Sequence, residues 1–167
     1  MHYLWTCHCC GKQFDELPLA MGLDCPDPWL GLSDAERQSR GASSSDTCII
    51  DNREFFVLGC LEIPLAGGGG IFNWLVWISV SKQSFDRIGD LWKTEIRNGE
   101  PPFFGWLSNS LPSYPETFAM KTNLYLRNQG TRPFIDLEPI EHPLAREQRE
   151  GISLKRVEEI IAACGMH

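Results

Sequence analysis

The chain has 167 residues, of which 43% are apolar and 22% charged, the proportions of an ordinary globular protein large enough to bury one real core. Fifteen Lys and Arg against 22 Asp and Glu leave a net charge of −7, which argues against non-specific nucleic-acid binding and favours basic partners. No apolar run approaches the ~20 residues that a membrane span needs.

Met1-His2-Tyr3-Leu4-Trp5 lacks the basic start and apolar stretch of an export signal. The seven cysteines (Cys7, Cys9, Cys10, Cys25, Cys48, Cys60 and Cys164) are odd in number. A cytosolic chain with free thiols or metal ligands is therefore expected rather than a disulfide framework. Thr6-Cys7-His8-Cys9-Cys10-Gly11 places Cys7 and Cys10 at the C-x-x-C-G spacing of a zinc knuckle. A tight turn there lets two thiolates converge on one tetrahedral ion at ~2.3 Å. No second C-x-x-C and no H-x-x-x-H follows, so completion has to come from isolated residues. Cys48 is the expected third ligand, with Cys25 or His8 as further completions. The expected cofactor is a structural zinc that pins the N-terminal segment to the rest. Free, partly buried thiols are the alternative, and nothing around the cluster resembles a thioredoxin βαβ unit.

Residues 1–32 read as an irregular segment punctuated by Pro18, Pro26, Pro28, Gly11, Gly22 and Gly31. Ser33 and Glu36 make a capping box for a short helix ending near Arg40. Strands follow at 47–51 and 54–63, joined at Asp51-Asn52, where a positive φ is tolerated. Gly67-Gly68-Gly69-Gly70 lacks the Lys-Ser/Thr of a P-loop and leads into a strand, so it reads as a hairpin connection. The third strand, 71–81, alternates Phe72, Trp74, Val76, Ile78 and Val80 on one face. A helix capped by Ser84 is expected to run to about Ile96, with Ile88, Leu91, Trp92 and Glu95 as its stripe. Residues 101–115 read as irregular and aromatic, 118–127 and 133–137 as strands. Pro143 starts a short helix, and Ser153 caps a last one that buries Leu154, Val157, Ile160 and Ile161. The expected fold class is α+β: one domain over 1–167, with a central, largely antiparallel sheet of about five strands and packing helices.

Several of these segments together resemble the uncharacterised bacterial family DUF2199. They are Cys7-His8-Cys9-Cys10-Gly11, Asp46-Thr47-Cys48-Ile49-Ile50-Asp51, Gly59-Cys60-Leu61-Glu62-Ile63-Pro64, Trp77-Ile78-Ser79-Val80-Ser81, Pro102-Phe103-Phe104-Gly105-Trp106-Leu107, Leu111-Pro112-Ser113-Tyr114-Pro115 and the run from His142 to Ile152. The resemblance spans about Cys7 to Ile161. It implies a shared fold and no activity. Relatives commonly carry a His shortly after the Cys-Cys-Gly, where this chain has Phe14.

No nucleophile motif, acid/base pair or cofactor loop stands out, so a binding role is expected ahead of catalysis. Its most concrete form is an immunity (antitoxin) protein that neutralises a basic toxin by direct contact. Phe104, Trp106 and Tyr114, in the aromatic and Pro-rich segment, are the expected partner-binding residues. The alternative is a metal- or thiol-dependent enzyme built on Cys7, Cys10, Cys48 and His142, with Cys48 and His142 as a nucleophile–base pair.

Overall fold

The structure, a computed structural model, describes residues 5–6, 13–14, 17–95, 97 and 99–164. Its spine is a long hairpin. Strand β6 (Glu54–Pro64) pairs with β7 (Ile71–Val80) in an antiparallel ladder from Phe55↔Val80 to Pro64↔Ile71. Both strands are dense in Phe, Val, Ile and Leu, and β7 adds two Trp, which suit a pleated surface covered on both sides. The turn between them uses positive φ at Gly67, Gly68 and Gly70, where an L side chain is strained. Around Gly67, Gly68 and Gly69 there is open space.

The hairpin bends into a barrel-like sheet. β8 (Phe103–Leu107) pairs with β7, β9 (Lys121–Tyr125) with β8, and β10 (Phe134–Leu137) with β9, all antiparallel. β10 then returns to β6 in parallel at Phe134↔Cys60, where the Cys60 N–H donates to the Pro133 carbonyl at 2.8 Å. Around this ring β5 (Thr47–Ile50) adds to β6, β4 (Gly41–Ser43) to β5, and β3 (Ala20–Gly22) runs parallel along β7. A separate pair, β1 (Trp5–Thr6) and β2 (Gln13–Phe14), is antiparallel.

The fold class is thus α+β, and the sheet is mostly antiparallel. The simple five-stranded sheet is corrected to five strands closed on themselves, with three more strands at the margins. Closure is a long-range pairing and leaves no local signature in the chain. Residues 101–115 are not wholly irregular, because β8 lies among them. Its five residues, centred on Gly105, are too short and too aromatic to display clean alternation. Nor are residues 1–32 irregular throughout, since β3 and the short helix α1 (Asp27–Leu30) form there.

Two apolar clusters hold the sheet. The larger takes Phe55, Val57, Leu61 and Ile63 of β6, Phe72, Trp74, Val76, Ile78 and Val80 of β7, and Leu107, Leu124 and Ile135 from the strands that close the ring. The face assigned to 71–81 by alternation is therefore the buried one. The smaller cluster lies on the opposite face of the hairpin. It contains Cys48, Ile50, Phe56, Leu58 and Trp77, with Leu23, Trp29 and Leu32 of the N-terminal segment packed over it. Buried Asn109 ties that segment down. Its Oδ1 accepts the Trp77 N–H at 2.9 Å, and its Nδ2 donates to the Cys25 carbonyl at 3.0 Å.

The helices obey local capping chemistry. α2 (Asp34–Arg40) begins with the reciprocal Ser33–Glu36 box. α3 (Lys82–Leu91) is capped by Ser81, whose Oγ accepts the Ser84 N–H at 3.1 Å. The cap thus lies three residues before the expected one. The helix ends at Leu91, so the expected stripe stops short of Glu95. α4 (Pro143–Glu150) buries Leu144 and Ala145. α5 (Leu154–Cys164) is capped by the Ser153 hydroxyl and buries Val157, Ile160 and Ile161. Leu154, expected inside, stands exposed in its first turn. No helix among the described residues is long and apolar enough to cross a membrane.

Candidate functional site: an aromatic face on the barrel

Alternation along β8 turns Gly105 and Leu107 inward and leaves Phe104 and Trp106 outward. They are 49% and 42% exposed, and their rings meet edge-on at 5.0 Å. Such a pair is a preorganised apolar contact of low side-chain entropy. Trp106 also borders a depression of about 360 Å³ with Phe118, Pro28 and Glu54. Phe104 borders a second, of about 270 Å³, with Lys121, Asp136 and Glu138. Three carboxylates and one ammonium thus rim the two aromatic rings. Partial burial raises the Asp136 carboxyl above its ordinary range. Beside Phe118, Glu116 accepts the Phe118 N–H and the Ser110 hydroxyl, and these bonds hold its carboxyl below the usual range.

Tyr114 is held by contacts within the fold. Its ring packs edge-on against Trp74 at 6.2 Å, and the Arg156 guanidinium lies 5.0 Å above it. Its hydroxyl donates to Glu147 Oε2 at 2.5 Å, and Glu147 Oε1 accepts from Arg156 Nε at 2.7 Å. Burial, reinforced by the Glu147 bond, pushes the phenol well above its ordinary pKa. Tyr114 therefore clamps α4 and α5 to the 113–115 segment.

Cys7 and Cys10 lie outside the described residues, as does His8. Cys48 is fully buried in the smaller cluster, and desolvation pushes its thiol up to about 11. A thiolate is disfavoured there. The folded pKa exceeds the unfolded one, so this contribution to stability is complete below about pH 9 and is lost as the pH rises toward 11. In native protein at pH 8, Cys48 is expected to resist iodoacetamide and to react once the chain is denatured. Labelling at the native rate of a free thiol would show that the cluster is open. Among the described residues no three His, Cys, Asp or Glu side chains converge as a metal site.

His142 caps α4: its Nδ1 accepts the Leu144 N–H at 3.1 Å. The Nε2 then carries the proton and faces the carbonyls of Pro115 and Glu116, at 3.3 and 3.1 Å. Both ring nitrogens are in use, and Cys48 is not among the partners.

Nothing in the residue pattern points to Arg97 beside Trp92. The arginine lies in a polar stretch beyond α3, and only the three-dimensional arrangement reveals that it is buried.

A family model described as "Uncharacterized protein conserved in bacteria (DUF2199)" matches residues 6–152. No curated protein and no solved structure matches the chain.

Proposed function

The chain belongs to the DUF2199 family of bacterial proteins, and on that premise we propose that it is a cytosolic binding protein, not an enzyme, whose outer barrel face takes a basic protein partner. The observation that carries this reading is the exposed Phe104–Trp106 pair within a carboxylate rim. Aromatic rings at the centre supply contact energy, and rim carboxylates steer a cationic surface. The net charge of −7 acts in the same direction. The most concrete form is an immunity protein that occludes a basic toxin. The C-x-C-C-G spacing supports a structural zinc at Cys7 and Cys10 within the same reading. The catalytic alternative loses support because His142 is committed to its cap and the Cys48 thiol is enclosed.

The test begins with capture by the full chain from its native host at low salt, followed by calorimetry on the purified partner. The partner is expected to be basic. Trp106→Ala should weaken binding by roughly 2 kcal/mol or more, as loss of an anchor does. The thermal midpoint should hardly move, since surface changes usually stay within about 0.5 kcal/mol. Unchanged affinity in both Trp106→Ala and Phe104→Ser would remove the face from the interface. A turnover abolished by His142→Ala or Cys48→Ser in folded protein would replace binding with catalysis.

A further inference from the structure

Arg97 is 4% exposed, yet its Nε and Nη1 have no hydrogen-bond partner among the described residues. Its guanidinium carbon sits 4.7 Å over the Trp92 ring. A buried guanidinium is costly unless it is paired, because water no longer solvates its charge and its N–H groups stay unmet. The nearby carboxylate does not answer it. Asp46 Oδ1 accepts from Arg132 Nε at 3.0 Å, and Oδ2 takes the Ser45 hydroxyl.

Arg97 lines a cavity of about 290 Å³ together with Trp92, Thr131, Arg132 and Asp46. Two guanidinium groups against one carboxylate leave this cavity cationic on a chain that is strongly anionic overall. A second cavity, of about 390 Å³, adjoins it and shares Asp46 and Trp92. Its other walls include Val57, Phe85 and Ile88, and it is largely apolar. A cationic pocket beside an apolar one, with Asp46 and Trp92 common to both, has the lining of a small-molecule site: apolar walls and a few converging polar groups.

We propose that the paired cavities bind a small amphipathic organic anion, its carboxylate or phosphate held at Arg97 and its apolar body lying past Trp92 against Val57, Phe85 and Ile88. A planar guanidinium fork matches either oxyanion, and Trp92 fixes that fork from one side. The site shares no lining residue with the aromatic face, so it stands independently of the binding role proposed above.

The test is calorimetry of the full chain with inorganic phosphate, acetate, octanoate and octyl phosphate, in a chloride buffer of constant ionic strength. Octanoate or octyl phosphate should bind one-to-one and at least tenfold more tightly than acetate or phosphate, respectively. The tighter of the two tailed anions identifies the head group. Arg97→Met should cost at least tenfold for the tailed anion while leaving the unliganded protein as stable as before or more so. A second variant guards against misfolding. Gly89 is an exposed position on α3 that lines the apolar cavity, and a Cβ added there meets nothing within 4 Å. Gly89→Leu should weaken the tailed anion about tenfold and leave acetate and phosphate unchanged. Absence of saturable binding by any of the four probes overturns the proposal. So does tailed-anion binding that survives both substitutions.

Discussion

Truncating Trp77 to Ala is expected to cost about 3–5 kcal/mol, the range for removing a buried large aromatic. Trp77 is fully buried at the centre of the smaller cluster. Its Nε1 donates to the Leu23 carbonyl at 2.8 Å, so the ring also fastens the N-terminal segment. Alanine leaves a cavity beneath Trp29 and Leu32 and an unmet carbonyl at Leu23. Trp77→Phe keeps most of the apolar contact and forfeits the hydrogen bond, for a smaller loss of roughly 1 kcal/mol. Urea denaturation followed by circular dichroism measures both. A loss below about 1 kcal/mol in Trp77→Ala would mean that the segment over this face contributes no packing.

Gly105→Ala is the second large effect, at about 2–3 kcal/mol. Gly105 is buried on β8, next to the positions where that strand pairs with β7. A methyl group there would lie 2.7 Å from the Ser79 carbonyl oxygen and collide with the Ile78 side chain. A side chain can shift; the carbonyl of a paired strand cannot without breaking the ladder. The double variant with Ile78→Ala should therefore recover none of the loss. Full recovery in that variant would place the strain in Ile78 alone. A midpoint equal to wild type in the single variant would mean that β8 sits farther from β7.

Local rules were readable in the chain. The Ser33–Glu36 box, the positive φ at Asp51 and Asn52, and the buried alternation from Phe72 to Val80 each depend on residues close in sequence. What escaped depends on distant partners. Closure of β10 on β6 is one paired position between far-separated segments. Phe104, Trp106 and Tyr114 all lie in one aromatic, Pro-rich stretch, and composition alone does not say which rings turn out. Tyr114 is drawn inward by Glu147 and Arg156, which follow it by more than thirty positions. Arg97 sits in a polar stretch four residues after Lys93, and the cavity it lines is completed by the distant 129–132 turn.

The four-glycine tip of the long hairpin has a practical consequence. Three of its glycines, Gly67, Gly68 and Gly69, have open space around them, and neither the aromatic face nor the arginine cavity includes any of the four. Loop-closure entropy rises only about 0.6 kcal/mol for each doubling of loop length, so the ladder below it tolerates a longer crossing. The bond between Gly68 and Gly69 is thus a ready insertion point for an affinity tag or a fluorescent reporter. A chain tethered there presents both surfaces to solution at once.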